Sequence, residues 1–168
     1  MDNASAANSV NVAQMLELKD LVAQDPTKAE RTPALVARWA GGSRSRIEFK
    51  DKVVHIGGDG ELNPMQMLLA TLAACDVDVV AMHASLLGLT IESLSVEATG
   101  HFNVQSYLGF DGAPGSGYDA IAYTVRLSVP GATAEQIAHL RERCERSSPV
   151  GDSLTRAISL KLEFEANR

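Results

Sequence analysis

The only two thiols in this 168-residue chain are Cys75 and Cys144. Cys75 closes the most apolar stretch, NPMQMLLATLAACDVD (residues 63–78), and two carboxylates, Asp76 and Asp78, follow it at once. The thiolate, not the thiol, is the nucleophile and the form that peroxides oxidise, so a reactive Cys75 needs positive charge or hydrogen bonds to lower its free pKa of about 8.5. Its own helix does not supply them. Cys75 lies about eleven residues past Pro64, beyond the reach of the helix N-terminal dipole, and a carboxylate at Asp76 would oppose ionisation if it faced the same way. An activating charge must therefore come from another strand or another subunit. The competing reading is a small buried packing residue, a common fate of a free cysteine.

Cys144 stands in LRERCERSSP (residues 140–149), one helical turn before Ser148. Residues four apart share a helix face at about 6 Å between Cβ atoms, so a helix through this turn would set Cys144 and Ser148 side by side. Ser148, directly before Pro149, also reads as a helix cap. Neither cysteine has the spacing of a zinc site, and Asp76, Asp78 and His83 on one helix leave a metal shell incomplete. Gly57-Gly58-Asp59-Gly60 lacks the nucleotide-binding patterns and is expected to be a turn. No metal and no cofactor are expected.

A net charge of −6 and the lack of a Lys/Arg run exclude a nucleic-acid surface. Apolar residues at 45% and charged residues at 21% are those of a folding chain of one core domain. No basic-then-apolar leader is visible at Met1–Asn8, which points to the cytoplasm. The apolar run from Met67 to Cys75 is too short to cross a bilayer and is interrupted by Asp76 and Asp78, so no membrane partner is expected.

The elements that must position the thiols follow from periodicity. Residues 1–33 form an N-terminal extension, with a small polar, disordered start and a peripheral helix from Val12 to just before Pro26; residues 34–168 form the main domain. Alternation around Leu35–Trp39, Ile47–Phe49 and Val53–Ile56 predicts a small antiparallel meander. Pro64 opens a long helix to about Leu87, capped by Gly88. Strands are predicted over Leu89–Ala98, His101–Leu108 and Ala120–Val129. Thr133 and Gln136 form a capping box for a helix over Ala134–Arg146. A short helix is predicted over Val150–Arg156, then a last strand in which Ile158, Leu160, Leu162 and Phe164 alternate with polar residues. This order is α+β. A helix of about 24 residues, apolar on every side from Met67 to Ala74, needs cover all round, and a second subunit is the natural source.

NPMQMLLATLAAC, VVAMHASLLGLTIESLSVEATG and SSPVGDSLTRAISLKLEFE, in that order, resemble the OsmC/Ohr proteins, small hydroperoxide-reducing proteins and their relatives, from about Leu35 to the C-terminus. The resemblance implies an OsmC-like fold: two antiparallel β-sheets around long central helices in an intertwined homodimer, with thiol sites at the subunit interface. It implies that Cys75 attacks an organic hydroperoxide, in an oxidative-stress role, and that a second cysteine before a Pro-Val pair resolves the sulfenate. That second position is Ser148 here, which leaves Cys144 or an external thiol reductant to resolve it. The family's thiolate-stabilising arginine corresponds to Arg44, one residue late in Gly41-Gly42-Ser43-Arg44, or to Arg46. The glutamate that holds this arginine is replaced by Met65, with Glu61 a substitute nearby. The alternative function is a non-catalytic protein that holds a small apolar ligand at the dimer interface.

Overall fold

The computed structural model describes residues 7–166. It has an α+β order: α1 (Val12–Gln24), β1 (Val36–Trp39), β2 (Ser45–Phe49), β3 (Lys52–Ile56), α2 (Pro64–Leu86), β4 (Ser93–Phe102), β5 (Tyr118–Ser128), α3 (Ala134–Ser147) and α4 (Pro149–Thr155). β1, β2 and β3 make one antiparallel sheet and β4 and β5 another.

α2 begins where its sequence supplies a complete cap. The Asn63 side chain accepts from the Gln66 N–H while the Gln66 side chain accepts from the Asn63 N–H, and Pro64 occupies the first turn. The helix ends at Leu86, after which Gly88 takes a φ of +69°, a conformation that suits glycine. At 23 residues α2 is long and apolar enough to span a bilayer by length and composition alone, which the shorter Met67–Cys75 run did not indicate. One of its faces packs into the core. Leu72, Asp76, Val79, Val80 and Ala84 lie on one face at helical spacing and are buried against β4, α3 and α4. Ala84 joins Leu89, Val129 and Leu140 in the hydrophobic core. Each large aliphatic side chain fully buried here contributes about 1.5–3 kcal/mol.

The other face of α2, with Thr71, Ala74, Val77 and Asp78, is exposed, so the all-round cover expected for this helix is not supplied by the described residues of the single chain. The three-stranded sheet adds no buried hydrophobic residue among those described; Trp39, Val53 and Val54 stand largely open.

Three expectations change. The strand expected over His101–Leu108 does not form: β4 runs unbroken through Gly100 to Phe102, and an Asx-turn in which the Asn103 side chain accepts from the Gln105 N–H then leads the chain away. Gly100 is no break. A Cβ there would collide with the Tyr118 ring, whose hydroxyl donates to the Met65 carbonyl at 2.8 Å. The last strand, Ile158–Phe164, has no pairing partner among the described residues, and Leu160, Leu162 and Phe164 are at least 84% exposed. The disordered start expected for residues 1–8 is corrected at Asn8; residues 1–6 lie outside the described ones. Asn8 donates to Ser85 Oγ and the Leu89 carbonyl and accepts from the Ile91 N–H, so it ties the extension to the exit of α2. α1 is peripheral as expected, with no residue fully buried.

Asp76 is the exception on the apolar face: it is 0% exposed and neither carboxyl oxygen has a hydrogen-bond partner. Burial pushes its pKa above the ordinary carboxylate range, against a smaller opposing effect of the Ser148 hydroxyl. The folded protein thus keeps this proton to higher pH than the unfolded chain. The resulting stability is fully present below the unfolded value of about 3.9 and is lost as pH rises through the raised folded value. Asp76→Asn removes that loss. Urea unfolding at neutral pH is expected to find the variant more stable by about 1–3 kcal/mol, with the gap closing in acid; a less stable variant at neutral pH would contradict this assignment.

Candidate functional site

The site forms where the middle of α2 meets the junction of α3 and α4. α3 starts at the capping box of Thr133 and Gln136 and runs to Ser147; Ser148 then serves as its C-cap and as the N-cap of α4, its Oγ accepting from the Gly151 N–H at 3.2 Å. Pro149 imposes the break, since it has no N–H to continue α3 and fits the first turn of a new helix. The double cap fixes the Ser148 side chain, which is 3% exposed, and aims its hydroxyl at Cys75 Sγ, 3.4 Å away.

Cys75 sits at the border between the buried and open faces of α2 and is partly exposed. Asp76, the next residue, is turned by about 100° into the interior. The Ser148 hydroxyl is near enough to favour the charged form of Asp76, yet its one proton is directed to Cys75, which leaves both carboxyl oxygens without a donor. The two carboxylates after Cys75 therefore part company: Asp78 reaches solvent and Asp76 does not.

α3 ends at Ser147, so the helix expected to carry Cys144 and Ser148 on one face stops short of Ser148, which is its extended cap; both residues are buried. Burial, reinforced by Asp76, pushes the Cys144 thiol up to about 11. About one in 10,000 such thiols is ionised at neutral pH, so Cys144 is a poor nucleophile. It lines both neighbouring cavities. One, of about 550 Å³, lies between Leu68, Leu72, Tyr118, Tyr123 and Leu154; the other, of about 400 Å³, lies between Val80, Val125, Ile137 and Leu140. Cys75 lines neither. The thiol site at the subunit interface that the resemblance implies for Cys75 therefore opens into neither of these two cavities.

Arg44 and Glu61 come together away from α2's buried face. The Gly41-Gly42 turn places Arg44 immediately before β2, and Gly57, with φ +90°, packs so closely on the Ser43 carbonyl that a Cβ would collide with it. The loop from Gly57 to Leu62 closes through the Gly57 N–H to the Leu62 carbonyl, which swings Glu61 back onto Arg44. Arg44 Nε donates to both Glu61 oxygens at 3.1 Å and Nη2 to Oε1 at 2.6 Å. This hydrogen bonding holds the Glu61 carboxyl below its usual range and raises the Arg44 guanidinium further. Met65 takes no part in the pair. Arg46 pairs instead with Glu48 within β2.

Sequence reasoning singled out Cys75, Cys144, Ser148, Arg44 and Glu61, and it placed Ser148 mainly as a cap. It missed Asp76 as a buried group; the i, i+4 and i+7 spacing of Leu72, Asp76 and Val79 carried that signal.

The family model for OsmC-like proteins matches residues 57–163, more than half of the chain. No curated protein matches. Among solved structures, an OsmC-like protein from Mycoplasma pneumoniae superposes with a TM-score of 0.61 at 17% identity, covering 75% of this chain and 89% of that one. An OsmC-like protein of unknown function from Vibrio cholerae gives 0.55 at 12% identity, covering 74% and 94%. An organic hydroperoxide resistance protein OsmC from Legionella pneumophila gives 0.50 at 18% identity, covering 75% and 90%. At these identities the likeness establishes the fold, and with the family match it identifies the chain as a member of the OsmC-like protein family.

Proposed function

We propose that this protein is a homodimeric, thiol-dependent redox protein that reduces organic hydroperoxides through Cys75. The observation that carries the reading is the contact between Cys75 Sγ and the doubly capped Ser148 hydroxyl: a partly exposed sulfur with a fixed hydrogen-bond donor at 3.4 Å. A donated hydrogen bond favours a thiolate over a thiol. The hydroperoxide resistance activity named for the Legionella relative fits the same chemistry.

Cys75 attacks the terminal peroxide oxygen, the S–O bond forms as the O–O bond breaks, and the products are a Cys75 sulfenic acid and an alcohol. A second thiol then reduces the sulfenate, and an external thiol suits this step better than Cys144, whose pKa of about 11 keeps it protonated. Arg44, oriented by Glu61, supplies the positive charge that offsets the charge developing at the sulfur, and it reaches Cys75 of the partner subunit across the dimer interface.

The dimer itself rests on two unfilled needs. α2 leaves its face with Thr71, Ala74, Val77 and Asp78 open beside Cys75, and the alternating tail Ile158–Phe164 exposes every large apolar side chain it has. Pairing the tail with a sheet edge of a second copy meets both its hydrogen-bonding and its burial requirements. Sedimentation at micromolar concentration is expected to give twice the 17.9 kDa chain mass, and truncation after Ala157 to shift the protein towards monomer; a stable folded wild-type monomer would exclude this assembly.

With one equivalent of an alkyl hydroperoxide followed by dimedone, mass spectrometry is expected to find the adduct on Cys75 in both the wild type and Cys144→Ala. Cys75→Ser should carry none, and Arg44→Ala should slow adduct formation by about 10–100-fold. If Cys75 is unmodified while the protein stays folded, a binding role for the cavity of about 550 Å³ replaces the redox one; a Cys75–Cys144 disulfide would instead assign resolution to Cys144.

A further inference from the structure

We infer that the far end of α2 carries a second site, built from His83, His139, Arg143 and Lys19, that binds a phosphate or sulfate group. It is independent of the chemistry proposed for Cys75. His83 lies in the last turn of α2, about 12 Å along the helix from Cys75. Its half-buried ring meets that of His139 edge to face, with centroids 5.6 Å apart. His139 and Arg143 are four residues apart on α3, so both stand on the face that carries this contact to α2. α1 packs against α2 and brings Lys19 within electrostatic reach of His83.

Two observations point to an anion. The first is an unmet donor: Arg143 Nε is buried and has no acceptor among the described residues. A buried donor left unpaired is costly, and a charged one more so. The second is the sign of the surroundings. Burial lowers the His83 pKa, and Arg143, His139 and Lys19 lower it further; every charge that bears on this ring is cationic. No carboxylate among the described residues pairs with any of the four. The acidic groups on the packed elements are engaged or placed elsewhere. On α3 Glu145 pairs with Arg141 and Glu142 with Arg146, while Glu135 stays at the first turn beside Thr133. On β4 Glu97 pairs with Arg126 and Glu92 accepts from Ser128, and on α4 Asp152 pairs with Arg156. On α2 Asp76 is two turns before His83 and Asp78 faces solvent; Glu17 and Asp20 of α1 are not among the charges felt by His83.

The alternatives fit less well. A metal ion, which a histidine pair invites, would meet Arg143 and Lys19, and the described residues hold no third ligand. A water would satisfy Nε and leave the charge unbalanced. A tetrahedral dianion does both, because it offers several acceptor oxygens to donors that arrive from three helices, where a carboxylate offers two. A bound dianion also raises the pKa of both histidines. Binding therefore takes up protons and, by linkage, tightens as pH falls through their titration.

The test follows the ring-proton resonances of His83 and His139 by NMR while the full chain is titrated with sulfate, which stays doubly charged wherever histidine titrates. Inorganic phosphate and acetate are run in parallel, with ionic strength held constant by chloride. Both resonances are expected to move along a saturable curve with sulfate and with phosphate, and acetate to bind at least about tenfold more weakly. Sulfate binding should weaken as pH rises, by up to about tenfold per pH unit for each proton taken up. In the double variant His83→Gln/His139→Gln, followed at the Arg143 Nε–H, that slope should vanish. Arg143→Gln should weaken sulfate binding about 10–100-fold, and Lys19→Gln, at an exposed position, about 2–5-fold. If Arg143→Gln does not fold, Lys19→Gln and the pH slope decide. Equal, unsaturable shifts with sulfate and acetate are screening alone and overturn the site. A folded Arg143→Gln that binds sulfate like the wild type overturns it too, as does a histidine pair that saturates with zinc and not with sulfate.

Discussion

One buried carboxyl group constrains this molecule more than any other single feature. Asp76 lies on the face of α2 that packs against β4, α3 and α4, among Leu72, Val79 and Val80, where an ionised group without a partner would cost several kcal/mol. Replacing it by an aliphatic side chain of similar volume would satisfy the packing better, so stability gives no reason for a carboxyl there. What the position does provide is proximity to Ser148 and, through it, to the sulfur of Cys75. The helix phase makes this unavoidable: with Cys75 at the border of the open face, the next residue is rotated by about 100° into the interior.

The remaining architecture serves that junction. The Asn63–Gln66 capping box starts α2 and Asn8 ties the extension to its far end, so the helix is fixed in length and register. Pro149 breaks α3 from α4 at the one place where a serine can cap both, and the cap orients its hydroxyl. On the opposite side of the chemistry, the Gly57 loop clamps Glu61 onto Arg44 and so holds a guanidinium ready beside the three-stranded sheet. The two halves of the site are therefore built independently, each rigid by itself, and assembly with a second chain is what brings them to one sulfur in the function proposed above.

Much of this was legible in the sequence because local rules govern it. Pro64 and Gly88 framed α2, Thr133 and Gln136 opened α3, and the family motifs pointed to Cys75 and to Arg44 with Glu61. What escaped local reasoning depended on partners distant in the chain. Gly100 reads as an interruption between two strands, whereas it makes room for the ring of Tyr118 in the neighbouring strand and leaves β4 continuous. Ile158–Phe164 has the clearest strand pattern in the chain yet no strand to pair with among the described residues, because periodicity specifies a face to be buried and not the molecule that buries it. Residue type does not mark Asp76 as the buried one of the two carboxylates after Cys75, because carboxylates are seldom buried. The helix spacing of Leu72, Asp76 and Val79 carries that signal, and the packing of α3 and α4 against this face of α2 completes the burial.

The central claim is that Asp76 holds a proton beside Ser148 and Cys75 under conditions in which ordinary carboxyls have lost theirs. Carboxyl carbon chemical shifts followed by NMR across pH, with Asp76 assigned by its disappearance in Asp76→Asn, measure this directly. Asp76 is expected to titrate above the ordinary aspartate value of about 3.9 because it is buried. An Asp76 that titrates at or below that value would contradict it.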